Sequence, residues 1–173
     1  LPNNLKKLNI KGLAINSKKV KKNFIFFAIK GNKFDGKNYI NQAIKNGAIV
    51  VVASKNCKLK SNKANILKIG NVRTCLSEVA SKFYKLKPKN IIAVTGTNGK
   101  TSVADFFYQI LDKNKIPVGY IGTLGIKYKK KLIKTNLTSP DVITLHKSLE
   151  RLKKNKIENV IIEASSHGLE QCR

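Results

Sequence analysis

The sequence predicts an α/β protein in two segments, the second of them a doubly wound parallel sheet. Three observations carry this. Apolar runs of strand length alternate with apolar stripes of helical spacing along most of the chain, and the second segment runs β-α-β-α-β, an order that implies crossovers and parallel pairing. Composition shifts at Lys87-Pro88-Lys89, with 20 basic and two acidic residues in 1–88 and 15 and seven in 89–173. Pro88 follows a helical pattern and precedes a new apolar run, where a helix is expected to end. At 173 residues, 42% of them hydrophobic, the chain can bury a real core and is long enough for two small domains. The predicted domains are 1–88 and 89–173.

In the first segment, Leu13–Ile15 and Phe24–Ile29 have the length and content of strands. Asp35-Gly36 marks a turn, after which Tyr39, Ile40, Ala43 and Ile44 fall at helical spacing. Gly47 caps that helix ahead of a strand over Ala48–Ala53. Ile66–Ile69 is a further strand. Val72, Leu76, Val79, Ala80 and Phe83 make one apolar helix face.

The second segment begins with Asn90-Ile91-Ile92-Ala93-Val94, an apolar run suited to a strand buried on both faces. A Gly-containing loop follows, then a helix predicted to turn Val103, Phe106, Phe107, Ile110 and Leu111 inward. Val118–Ile121 is the next strand, and Ile126–Ile133, with Tyr128 and four lysines, reads as an exposed hairpin or loop. Val142, Leu145, Leu149 and Leu152 form another helical stripe. Asn159–Ile162 is a third buried strand, ending at Glu163. Doubly wound sheets bind ligands at the carboxyl ends of their strands, which is where the informative loops fall.

The formal net charge is +26, from 35 Lys+Arg against nine Asp+Glu. Such a balance raises nucleic acid as a partner. Only Arg73, Arg151 and Arg173 are arginine, however, and the lysines are scattered rather than gathered on one helix or tail. Lys, Asn and Ile are the residues that A/T-rich codons encode, so base composition accounts for much of the excess. No nucleic-acid partner is expected. No apolar run approaches the ~20 residues of a membrane span, so no membrane role is expected either. Cys57, Cys75 and Cys172 are odd in number and lack C-x-x-C spacing, which argues against a disulfide framework or zinc site and fits a reducing cytosol. Without Met, starting at Leu1 and stopping at Arg173 in a loop pattern, the chain reads as a fragment.

Thr95-Gly96-Thr97-Asn98-Gly99-Lys100-Thr101 sits between a buried strand and an amphipathic helix, the setting a phosphate-binding loop requires. Gly96 and Gly99 let the backbone turn tightly so that successive N–H groups point at phosphate oxygens. The following helix adds its positive end. Lys100 reaches the β- and γ-phosphates in such loops, and the Thr101 hydroxyl ligates Mg²⁺. Val94 stands where the general pattern has its first Gly, so this is a shorter G-x-x-G-K-T variant, which alone does not choose ATP over GTP. Glu163 closes the third strand, where an acid in such proteins holds Mg²⁺ opposite the loop hydroxyl. Ser165, Ser166, His167, Gln171 and Arg173 then crowd the strand's carboxyl end and suit a polar, anionic ligand. His146 lies beside an apolar helix stripe and reads as structural.

At these residues the chain resembles the Mur ligases, which build the peptidoglycan stem peptide. The resemblance rests on Ile91–Thr101, Gly122-Thr123-Leu124-Gly125, Leu137-Thr138-Ser139-Pro140 and Glu163-Ala164-Ser165-Ser166-His167-Gly168-Leu169. In the first segment it rests on Asn16-Ser17-Lys18, Phe26–Gly31, Asp35-Gly36 and Ala43–Ala48. The family usually has Asp-Ser-Arg at Asn16-Ser17-Lys18 and more often Thr-Thr-Pro at Thr138-Ser139-Pro140. Together these stretches resemble the branch that adds the third residue, diaminopimelate or lysine, to UDP-N-acetylmuramoyl-L-alanyl-D-glutamate.

The resemblance implies an ATP- and Mg²⁺-dependent carbon–nitrogen ligase, cytoplasmic and monomeric. Residues 1–88 would be a UDP-sugar-binding domain, and 89–173 the first part of the central ATP-binding domain. Gly96, Thr97, Asn98, Gly99, Lys100, Thr101 and Ser102 would bind ATP. Thr101 and Glu163 would hold the metal, with Lys100 and Glu163 catalytic. Ile15, Ser17, Asn32, Lys33 and Phe34 would contact the uridine diphosphate end of the substrate, and Thr138, Ser139, Ser165, Gln171 and Arg173 the muramoyl-dipeptide. The amino-acid site, a carbamylated lysine and a C-terminal domain are expected beyond Arg173, leaving this fragment inactive with its sheet open at one edge. The alternatives are a sister Mur-type or folylpolyglutamate-type ligase, against which the Ser-Ser-His-Gly-Leu stretch argues, and a basic nucleic-acid-binding module, which steep salt-dependent binding to arbitrary DNA or RNA would reveal.

Overall fold

The structure is a computed structural model describing residues 8–31, 34–135 and 138–170. Its contacts divide the chain into two units, Leu1–Leu76 and Ser77–Arg173.

The first unit is built on four parallel strands in the order β1-β2-β3-β4: β1 (Gly12–Ala14), β2 (Phe24–Phe27), β3 (Ala48–Ser54) and β4 (Asn65–Ile69). A 3-10 turn at Ser17–Lys19 links β1 to β2, with Asn16 Oδ1 accepting from Lys18 N to start it. Asp35 opens a second such turn, Gly36–Tyr39, by accepting from Lys37 N, and that turn runs into α1 (Ile40–Lys45). Each neighbouring pair of these strands is parallel, and Phe26, Ile40, Ala43 and Val51 meet in one core. α2 (Val72–Phe83) begins where Asn71 Oδ1 accepts from Arg73 N and Thr74 N, and the dividing point between the units falls inside it.

The second unit has a five-stranded sheet in the order β5-β9-β6-β7-β8. Its strands are β5 (Asn90–Val94), β6 (Val118–Gly122), β7 (Gly125–Tyr128), β8 (Lys131–Ile133) and β9 (Asn159–Glu163). β5, β9 and β6 are parallel; β7 and β8 continue the sheet antiparallel. Crossovers run through α3 (Lys100–Lys113) and α4 (Val142–Lys154), and α5 (Ser166–Glu170) follows β9. Ile121, Ile126, Tyr128, Leu149, Leu152 and Val160 form one core cluster. Ala104, Tyr120 and Ile161 form another, with Val94, Phe107 and Tyr108 packed against it.

Three sequence readings change. β5 is an edge strand, so Ile91 and Ile92 remain 41% and 40% exposed instead of buried on both faces. The inward face of α3 is Ala104, Phe107 and Tyr108, whereas Val103, Phe106 and Ile110 are exposed. α3 packs chiefly over β6 and β9, so its other apolar face lacks a partner among the described residues. The segment at Ile126–Ile133 is the β7–β8 hairpin, and it buries Ile126 and Tyr128 because pairing with β6 brings alternate residues onto the core.

Candidate active site

Parallel strands deliver their loops to one end of a sheet, and here register decides which residues meet. Val94 at the end of β5 stands opposite Glu163 at the end of β9, and Ile121 of β6 stands opposite Ile162. The loops after β5, β9 and β6 therefore leave the sheet side by side. Glu163, on the central strand of the three, lies between the phosphate loop and Gly122-Thr123.

The phosphate loop bends as its glycines allow: Gly96 has φ 144° and Gly99 φ 78°, conformations that L side chains rarely adopt. Gly99 is also the N-cap of α3 and contributes no side-chain cap, so the first N–H groups of a 14-residue helix are left for an anion. The Lys100 ammonium donates to Gly96 O at 2.6 Å and Thr97 O at 3.2 Å, curling back over the loop. Gly96, Thr97, Asn98, Gly99 and Ser102 are exposed, and Lys100 and Thr101 half-buried.

Glu163 has no exposed surface. Its Oε2 accepts from the Thr101 hydroxyl at 2.8 Å and the Thr123 hydroxyl at 3.1 Å. Its Oε1 accepts from the Tyr120 hydroxyl and from Thr123 N at 3.0 Å. All four donors are neutral, and among the described residues no ion pair reaches this carboxylate. Its hydrogen bonds are made, but its charge is not balanced, which suits a cation bound beside it. Among the described residues no group of three or more His, Cys, Asp or Glu gathers to hold a metal. One carboxylate and a hydroxyl, completed by phosphate oxygens and water, is the usual protein share of a Mg²⁺ site. Burial, and then the hydrogen bond to Glu163, hold the Tyr120 phenol far above its ordinary range, so it is a donor at neutral pH.

Hydroxyls extend this site. Thr123 Oγ1 lies 3.0 Å from Thr138 Oγ1. Ser139 Oγ donates to Glu163 O at 3.1 Å, accepts from Ser165 N at 3.0 Å and lies 3.0 Å from Ser165 Oγ. Ser165 Oγ in turn accepts from Gly168 N at 3.1 Å. Thr138, Ser139 and Ser165 are thus brought to Thr101 and Glu163, although 62 residues separate those two in sequence. Gly122 is required beside them: a Cβ there would overlap the Glu163 carboxylate, lying 2.7 Å from its Cδ.

In the first unit, Ile15 and Phe34 are exposed. Ser17 is buried, with its hydroxyl donating to Gln42 Oε1 at 2.6 Å. The antiparallel backbone β-bridge between Lys30 and Asp35, Gly31 N to Phe34 O at 2.9 Å and Gly36 N to Ile29 O at 3.0 Å fasten the base of the loop carrying Phe34. Arg73 donates to Lys30 O at 3.0 Å. A cavity of about 370 Å³ beside this loop is lined by Lys30, Asp35, Lys37, Asn56, Asn71 and Arg73 among others. Asn32, Lys33, Gln171 and Arg173 lie outside the described residues.

Sequence reasoning missed Tyr120, Gly122 and Thr123 as site residues. Gly122 and Thr123 fall in a motif noted for resemblance alone. Tyr120 lies inside the buried run Val118–Ile121, where an aromatic reads as core. His146 is half-buried, its pKa lowered first by burial and then by Lys87.

The Mur ligase middle domain family matches residues 94–173, and the Mur ligase family, catalytic domain, matches residues 9–84. UDP-N-acetylmuramoyl-L-alanyl-D-glutamate–2,6-diaminopimelate ligase of Rickettsia felis is 43% identical over 100% of this chain and 34% of its own length. The ligase of the same name from Aquifex aeolicus is 38% identical over 95% of this chain and 34% of its own. Among solved structures, a UDP-N-acetylmuramoyl-L-alanyl-D-glutamate–2,6-diaminopimelate ligase superposes with a TM-score of 0.79 at 29% identity, covering 94% of this chain and 33% of that one. The MurF ligase of Thermotoga maritima in complex with ADP superposes with a TM-score of 0.60 at 25% identity, over 92% of this chain and 33% of that one. The chain spans about a third of the length of the curated relatives it matches.

Proposed function

The chain belongs to the Mur ligase family, and on that premise we propose that it is part of an ATP-dependent ligase that adds diaminopimelate to UDP-N-acetylmuramoyl-L-alanyl-D-glutamate in peptidoglycan precursor synthesis. One observation carries the reading most: the Thr101 hydroxyl of the phosphate loop lies 2.8 Å from Glu163 Oε2, with Thr138, Ser139 and Ser165 gathered around them. That juxtaposition suits a reaction between ATP and a second anionic substrate. The relatives' names favour diaminopimelate over lysine.

The glutamyl side-chain carboxylate attacks the γ-phosphorus of ATP, giving an acyl phosphate and ADP. The amine of the incoming amino acid adds to the acyl carbon, and the tetrahedral intermediate expels phosphate as the nitrogen loses a proton and the amide forms. Two anions must approach for the first step, so charge neutralisation and positioning dominate the chemistry. Thr101 and Glu163 would hold Mg²⁺, which when bound neutralises phosphate charge. The N–H groups of 96–102 cradle the phosphates, and Lys100, released from Gly96 O and Thr97 O, turns its ammonium to them. Ser139 and Ser165 present hydroxyls for the muramoyl-dipeptide, with Thr138 alongside. Residues 1–88 form the UDP-sugar domain and 89–173 begin the ATP domain. Ile15, Ser17, Asn32, Lys33 and Phe34 serve the uridine diphosphate, and Lys30, Lys37 and Arg73 give that region positive charge. Gln171 and Arg173 contact the dipeptide. The enzyme works in the cytoplasm as a monomer.

The test uses the full-length protein. Phosphate release should require ATP, UDP-muramoyl-dipeptide and diaminopimelate together, and Lys100→Ala should lower kcat by about 10²–10³-fold. UDP-muramoyl-dipeptide should also raise the melting temperature. Equal turnover with lysine would overturn the amino-acid assignment. The absence of both turnover and thermal shift at millimolar ligand would overturn the reading as a whole.

A further inference from the structure

The two oxygens of Glu163 have opposite surroundings. Oε1 faces two hydrogen-bond donors, the Tyr120 hydroxyl and Thr123 N. The direction of the first bond is fixed by a third group: Leu124 N donates to the Tyr120 oxygen at 3.3 Å, which leaves the phenolic hydrogen for Glu163. Oε2 faces two threonine hydroxyls, Thr101 and Thr123, and the second is itself 3.0 Å from Thr138 Oγ1. Threonine oxygens carry lone pairs and rotate freely, so they can offer a cation an oxygen once their hydrogens swing away. An amide N–H cannot do this, and the Tyr120 oxygen is already engaged by Leu124 N. A cation is therefore welcome at Oε2 and repelled at Oε1.

From this asymmetry we propose that Tyr120 is a positioning residue: with Thr123 N it pins Oε1, so that Glu163 takes a divalent cation through Oε2 alone, beside Thr101. The proposal rests on the reading of Thr101 and Glu163 as the metal-holding pair. Its consequence is selectivity. Mg²⁺ demands near-octahedral geometry and short single bonds to oxygen, whereas Ca²⁺ accepts both oxygens of one carboxylate. A carboxylate held by one oxygen favours the smaller ion. The fold supplies the restraint: Tyr120 has no exposed surface, sits opposite Ile161 in the β6–β9 register and packs edge-on to Tyr108 with ring centroids 6.4 Å apart. The Lys127 ammonium stands 5.1 Å from its ring centroid. Tyr120→Phe keeps the ring, its packing and that cation contact, and removes the hydroxyl with its two bonds, to Glu163 Oε1 and from Leu124 N.

The experiment titrates full-length protein saturated with ADP against Mg²⁺ and, separately, Ca²⁺ by calorimetry, comparing wild type, Tyr120→Phe and Glu163→Gln. Groups that orient a metal ligand typically contribute ~10–100-fold in metal affinity. Tyr120→Phe should lose about tenfold in Mg²⁺ affinity while Ca²⁺ affinity holds or rises, and excess Mg²⁺ should restore turnover. A purely structural role would weaken both ions alike. Identical titrations for Tyr120→Phe and wild type with both ions, or parallel losses for both, overturn the proposal. Glu163→Gln separates the two layers: loss of metal binding there supports the pair itself, and no loss removes the pair and this proposal with it. Should Tyr120→Phe fold poorly, infrared difference spectra of wild-type protein on Mg²⁺ addition decide. The Glu163 carboxylate bands, identified by their absence in Glu163→Gln, should widen their antisymmetric–symmetric splitting as one-oxygen binding requires, and a narrowed splitting overturns the assignment.

Discussion

Asn90–Val94 and Asn159–Glu163 are close to the same string, an Asn followed by an apolar run, and they are hydrogen-bonded neighbours in strict register. Ile91 and Ile92 in β5 are nonetheless 41% and 40% exposed, while Val160 and Ile161 in β9 are 0% and 1%. Among the described residues, β9 has a strand on each side and α3 above it, and β5 has one neighbour and only the margin of α3. Apolar content states what a strand is able to bury, and the number of neighbours decides what it does bury. The two strands also end differently. β5 releases an exposed loop, and β9 ends on a carboxylate sealed under four donors.

The largest expected effect comes from emptying the sealed strand. Ile161→Ala removes a side chain packed against Ala104 and Tyr120 and should destabilise the chain by about 2–5 kcal/mol in urea unfolding. A loss below about 1 kcal/mol would mean that β9 is no better packed than its neighbour. Next in size is Gly122→Ala, which forces a methyl group against the Glu163 carboxylate. Overpacking of this kind costs about 1–3 kcal/mol. With Thr101 and Glu163 as the proposed metal-holding pair, it should also weaken Mg²⁺ binding in the full-length protein, because the carboxylate has to move from Thr101. Unchanged metal affinity would show that the end of β9 has slack that the register does not suggest. Ile92→Ala on the open strand should cost only roughly 1 kcal/mol, since a half-exposed side chain leaves no cavity behind.

This contrast marks where sequence reading succeeded and where it stopped. The strands, helices and their order were legible because period and punctuation are local: Gly47 and Pro88 sit where the chain changes element. The loop between β5 and α3 and the place of Glu163 at the end of β9 were legible because those residues stand consecutively at the ends of apolar runs. Exposure of Ile91, Ile92, Val103, Phe106 and Ile110 was not, because a period fixes which residues share a face and not whether anything lies against that face. Burial of Ile126 and Tyr128 was missed for the converse reason, as four lysines nearby made the segment look exposed, whether hairpin or loop. Tyr120 was hidden because a phenol within an apolar run announces its ring, and its partner lies 43 residues away.

What keeps α3 over β9 and β6, and away from the open β5, gives the finest test of the contrast. Asp105 on α3 pairs with Lys127 on β7 at 2.8 Å, on the far side of the sheet from β5. The hydrogen bond from Lys127 is the main reason the Asp105 carboxyl sits below its ordinary pKa, with Gln109 adding to it. A carboxyl whose folded pKa is depressed contributes stability above its unfolded value, near 4, and loses it as pH falls through the folded value. Both side chains are about a quarter exposed, so the contribution is that of a screened pair, about 0.2–1 kcal/mol. Asp105→Asn should therefore be less stable than wild type at pH 7 by that margin, and the gap should close below about pH 4. Lys127 would keep its place near the Tyr108 and Tyr120 rings, at 5.9 and 5.1 Å, because that attraction does not depend on Asp105. A gap that persists unchanged into acid would mean that the Asp105 side chain holds α3 by packing, and that the charge pair has no part in setting which strand of the two is covered.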